Sequence, residues 1–100
     1  MLFRSTAVGY QAGYTNSTGA YNTFVGYQAG YTSNYNGNSY LTCIGGGAGA
    51  LMTTATHNTL IGYYTGAALT TGSANTFIGN YNGSGCGALV TTGSKNTIIG

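Results

Sequence analysis

The sequence predicts an all-β fold, a parallel β-solenoid of about six rungs, and two observations carry the prediction. The first is a phrase, Thr-x-(Val/Ile)-Gly, that occurs six times, as Thr6-Ala7-Val8-Gly9, Thr23-Phe24-Val25-Gly26, Thr42-Cys43-Ile44-Gly45, Thr59-Leu60-Ile61-Gly62, Thr76-Phe77-Ile78-Gly79 and Thr97-Ile98-Ile99-Gly100. The second is spacing: successive glycines of the phrase lie 17, 19, 17, 17 and 21 residues apart. That interval is too short for a helical repeat and suits one coil of a solenoid. Residues 1–100 read as a single repetitive segment, with repeats beginning near 5, 22, 41, 58, 75 and 96.

Within one repeat, Thr23 to Tyr27 has the β-branched and aromatic content of a short strand. A second glycine follows four residues after the first, at Gly13, Gly30, Gly49, Gly66 and Gly83, and predicts a corner and a second short extended segment. Stretches such as Thr15-Asn16-Ser17-Thr18-Gly19 have turn chemistry and return the chain to the next copy. A hairpin per repeat, stacked antiparallel, is the main alternative, because glycines four apart also close hairpins.

The longer intervals read as loop insertions near 35–38 and 84–87. Asn22, Asn58, Asn75 and Asn96 head four copies and predict an amide ladder at one corner, interrupted by Ser5 and Leu41. The Val/Ile column and the column before it (Ala7, Phe24, Cys43, Leu60, Phe77, Ile98) point to opposite strand faces, yet both are apolar. Strands apolar on both faces are buried on both. One narrow coil hides only its inward face, so the sequence predicts a homo-oligomer, with three chains favoured. Threonines sharing a face with Val and Ile are expected inside, their hydroxyls bonded to backbone.

Composition removes most enzyme chemistry. The chain has no Asp or Glu, two cations (Arg4 and Lys95) and one histidine, His57. Carboxylate pairs, Ser-His-Asp triads and carboxylate cages for metals therefore lack their parts, and neither catalysis, a cofactor nor a metal is expected. His57 precedes Asn58-Thr59 where other copies carry Tyr21, Ala74 or Lys95, so it reads as a solvated turn residue. A net charge of +2 without a basic cluster indicates no nucleic-acid partner. No run of about 18 apolar residues is present to cross a bilayer. Because the last five residues open a further copy, the segment is expected to belong to a longer fibre.

Cys43 occupies an apolar column, and Cys86 lies two repeats on. Two rungs correspond to about 10 Å, beyond the roughly 7 Å that a disulfide spans, so no bridge between them is expected. The sequons Asn16-Ser17-Thr18 and Asn82-Gly83-Ser84 make Asn16 and Asn82 candidate glycosylation sites.

The phrase Asn-Thr-x-(Val/Ile)-Gly-x-x-Ala-Gly, closest over Ser5 to Gly30, resembles two related kinds of repeat. One forms the heads of trimeric autotransporter adhesins; the other forms the shafts of phage tail fibres and bacterial surface fibres. The resemblance implies a trimeric, extracellular or virion-borne attachment fibre, and it carries over no catalytic residue. The Gly45-Gly46-Gly47 stretch and the glycine-rich run after Asn82 depart from the pattern. Tyr10, Tyr27 and Tyr63 share one repeat position and are candidate contacts for a host glycan, although such rings also cover half-buried edges. Two other functions fit the repeats: a self-assembling extracellular filament built end to end through open strand edges, and an ice-binding solenoid using the threonine column. Two things weigh against the latter: such surfaces generally need two outward threonines per rung, whereas here the residue two positions after Thr is Val or Ile, and the threonines are expected inside.

Overall fold

In a computed structural model, residues 4–33, 39–80 and 86–100 are described. They contain six strands: β1 (Thr6–Val8), β2 (Thr23–Val25), β3 (Thr42–Ile44), β4 (Thr59–Ile61), β5 (Thr76–Ile78) and β6 (Thr97–Ile99). All lie in one parallel sheet in chain order, so the chain coils as a β-solenoid and the hairpin alternative is excluded. Register is set by identity of position. Thr6 pairs with Thr23, Thr23 with Thr42, and so on to Thr97.

Among the described residues each repeat supplies one three-residue strand rather than the expected two. Tight turns follow the strands, and the residue pattern shows why. Ala12, Ala29, Ala48 and Thr65 each donate their N–H to the first-glycine carbonyl three residues earlier, at 3.2–3.3 Å. The third residue of that turn has positive φ (Gln11, Gln28, Gly47 and Tyr64), as a type II turn requires. A second turn follows at once, with Asn16, Ser33, Met52, Leu69 and Val90 donating to the second glycine. The turns still bond from rung to rung: Gly13 N–H donates to the Ala29 carbonyl at 2.8 Å, and Gly30 N–H to Ala48 at 2.9 Å. These bonds pair backbone groups of the described turns without a second sheet.

Burial reverses the expected faces. The middle residue of each strand points inward, and Phe24, Cys43, Leu60 and Phe77 are all fully buried. Threonine and Val/Ile flank it on the outward face, where Val8 and Ile99 are 57% and 66% exposed. Threonines are therefore outside, contrary to expectation, because a three-residue strand places only its centre in the coil. The inner column meets Ala29, Ala48 and Cys86 from the first turn and Met52 and Leu69 from the second.

Cys86 and Gly87 belong to these regular columns. Gly66 N–H donates to Cys86 as Gly49 N–H donates to Thr65, and Gly87 (φ 68°) presses on Phe77 as Gly30 (φ 60°) presses on Phe24. The second glycine of the fifth copy is therefore Gly87 rather than Gly83, and the extra residues precede Cys86. They lie outside the described residues, as does the other expected insertion near 35–38.

One corner holds a column of non-glycine residues at positive φ: Arg4, Tyr21, Tyr40, His57, Ala74 and Lys95, at 52–62°. Each such residue costs roughly 1–2 kcal/mol relative to ordinary backbone. Hydrogen bonds across rungs offset that cost, including His57 N–H to Ser39 and Ala74 N–H to Thr56 at 2.8 and 3.0 Å. Ala74→Gly is expected to stabilise the fold by about 0.5–1 kcal/mol, since Ala74 is exposed and gains only backbone relief. Gly30→Ala, at nearly the same φ, is expected to cost about 2–4 kcal/mol, since a Cβ there enters the Phe24 ring. Denaturation midpoints followed by circular dichroism check both signs.

Candidate interaction surfaces

Three surfaces of the coil expose ordered side-chain chemistry. The first is the outward face of the sheet, two parallel rows of Thr and Val/Ile one strand wide. With ~4.8 Å between rungs and ~6.7 Å between alternate residues of a strand, these rows form a regular grid of methyls and hydroxyls. Neither cation lies on it.

Tyrosine ladders occupy the second surface. Tyr10 stacks on Tyr27 (ring centroids 5.6 Å apart) and Tyr14 on Tyr31 (5.2 Å), while Gln28 Nε2 donates to Gln11 Oε1 at 2.9 Å. Both ladders stop at the third rung, where Gly46, Gly47 and Ala50 replace Tyr, Gln and Tyr. Of the three candidate glycan contacts, Tyr10 and Tyr27 come together, and Tyr63 stands apart beyond Gly46 against Tyr64 (4.7 Å, 76°). Tyr31, Tyr63 and Tyr64 instead wall a surface groove of about 720 Å³ floored by alanines, including Ala50 and Ala67. Sequence reasoning missed Tyr31, Tyr64 and this floor. The available signal was a change of one repeat position from Tyr14 and Tyr31 to Ala50, Ala67 and Ala88.

The third surface is the positive-φ corner, where Arg4 lies 6.0 Å over Tyr21, Tyr21 stacks on Tyr40 and Tyr40 stacks on His57. His57 is an exposed turn residue there, as its sequence position indicates. Behind this corner runs the asparagine ladder. Asn22, Asn58 and Asn75 each accept through Oδ1 from the backbone N–H of the equivalent residue one rung on, at 2.9–3.0 Å. Nδ2 of Asn58 and Asn75 donates back to Gly72 and Gly93, so most amides bond to backbone and only Asn96 bonds to the amide before it. Ser5 Oγ takes the acceptor role for Asn22 N–H.

Asn16 is buried at 5% exposure and donates Nδ2 to the Gly19 carbonyl at 3.1 Å. At that burial a glycan on the nitrogen has no room without opening the corner, so Asn16 is not an accessible acceptor in the folded chain. Asn82 lies outside the described residues. Cys43 and Cys86 are both buried and free. Burial pushes the Cys43 thiol well up from its ordinary value; burial also raises Cys86, against a lowering by hydrogen bonds with the backbone at Ile78 and Gly100. Such thiols are poor nucleophiles. Among the described residues no three of His, Cys, Asp and Glu gather as a metal site, and no helix is long and apolar enough to cross a membrane. No protein-family model, curated protein or solved structure matches the chain.

The ionisable groups give a pH prediction. Acid unfolding is driven largely by protonation of native carboxylates, and the sequence has no Asp or Glu. Stability is therefore expected to stay level from about pH 3 to about pH 8. A thiol whose folded pKa is raised contributes stability below its unfolded value, 9.0 for Cys43, and loses it as pH rises further. Urea midpoints measured against pH should fall only on the alkaline side, and Cys43→Ala should make that fall shallower.

Proposed function

We propose that the chain is a structural segment of an extracellular or virion attachment fibre, and that copies associate through the outward Thr-x-(Val/Ile) face. The observation carrying this reading is that a charge-free, β-branched face runs unbroken over six rungs while the coil already holds its own core. Exposed apolar rows of this regularity mark interaction sites. The face is only one short strand wide. Three such ribbons meeting at an axis cover each other more fully than two laid flat, which favours a trimer. Rigidity follows from rung-to-rung hydrogen bonding, and length from the number of rungs. The likeness to adhesin-head and tail-fibre repeats agrees with this reading.

A second reading is supported by the outward threonines. Hydroxyls and methyls on a flat lattice of rung spacing favour an ice-binding solenoid, and the inward placement that weighed against it does not hold; the single threonine per rung, with Val or Ile beside it, still weighs against it. End-to-end filament growth is a third outcome that imaging separates by length.

Sedimentation velocity at micromolar concentration is expected to show a trimer. Val25→Lys together with Ile61→Lys, both on the outward face, should convert it to a folded monomer with little change in circular dichroism. A wild-type monomer showing thermal hysteresis, abolished by Thr42→Tyr with Thr59→Tyr, would replace the fibre reading with the ice-binding one.

A further inference from the structure

We propose that the groove beside Tyr31 is a binding site for a neutral saccharide, whose ring occupies the place where the Tyr14–Tyr31 ladder would continue. The ladder itself supplies the argument. One face of the Tyr31 ring is taken by Tyr14 at 5.2 Å. The other face looks along the axis toward the third rung, where the equivalent residue is Ala50, and then Ala67. A side chain that stacks at every rung in the first two repeats is thus replaced by methyl groups, leaving a slot beside an aromatic platform. Tyr63 and Tyr64, crossed at 76°, also line it.

The chemistry of the lining selects the occupant. A groove of about 720 Å³ is in the range that holds small ligands. None of its lining residues is charged, so an ionic ligand finds no counter-charge. Phenol rings and the Gln28 amide make the lining amphipathic, so a purely aliphatic chain would match only part of it. Gln28, whose Nε2 donates to Gln11 Oε1, brings a side-chain amide to the lining. A pyranose has what this lining requires: a C–H face to lie on Tyr31 and a rim of hydroxyls for the phenols and the amide. The site stands on one chain and does not depend on the fibre reading.

The test titrates the full chain with neutral oligosaccharides of glucose, galactose, mannose and N-acetylglucosamine, read by calorimetry and by chemical shifts of the tyrosine rings. At least one series is expected to bind saturably. Ala50→Tyr should fill the slot while folding normally, since Tyr14 and Tyr31 hold the same repeat position. It should weaken binding by about tenfold or more, as should Tyr31→Ala, whereas Tyr10→Ala on the neighbouring ladder should change it by less than about twofold. Absence of saturable binding to every series up to on the order of 10 mM would overturn the site. So would binding that survives Ala50→Tyr in a folded chain, or occupation of the groove by phenol while no sugar binds.

Discussion

Every feature of this chain depends on the in-register backbone ladder between successive rungs. Thr N–H donates to the carbonyl one rung on, from Thr6 to Asn22 through Thr76 to Asn96, at 2.8–2.9 Å. First-glycine N–H groups bond in the opposite axial sense, as Gly26 does to Val8 at 2.8 Å. Once that register is fixed, each repeat position becomes a column of near neighbours about 4.8 Å apart. What a column can contain is then decided by whether a residue tolerates a copy of itself, or of its equivalent, at that distance.

The same constraint accounts for the composition. Two like charges 4.8 Å apart repel by about 0.9 kcal/mol even in water, and by more beside protein. A column of Lys or Glu would repeat that penalty at every rung, whereas Asn, Gln, Thr and Tyr gain from repetition through hydrogen bonds and stacking. The two cations obey the rule: Arg4 and Lys95 sit at opposite ends of one corner column, with Tyr21, Tyr40, His57 and Ala74 between them.

Fold class, repeat boundaries and the asparagine corner were legible in the sequence because they depend on period and turn chemistry, which a repeat states several times. The direction of the strand faces was not, since three residues give period-two alternation too little length to act on and both faces are apolar. A signal for the inner face was present in residue volumes. The two buried columns trade volume at two rungs, Phe24 with Ser33 and Cys43 with Met52, a large residue in one column accompanying a small one in the other. Such compensation is the mark of two columns filling one interior. Gly87 was misplaced for a related reason: counting four residues from Gly79 ignores the buried column that Cys86 continues.

Seen this way, the inner and outer columns differ in what sets them. The inner one ranges from Ala7 to Phe24 and remains packed because its partners adjust. The outer one holds only Val or Ile beside Thr, although strand propensity spans only about 1 kcal/mol and so does not by itself exclude other residues at every rung. Nothing inside the coil demands that uniformity. Contact with a flat object would, since such an object must meet every rung at the same height. On the function proposed above, the regular columns serve assembly or an ordered surface, and the broken one, where Tyr31 gives way to Ala50, is the proposed ligand slot.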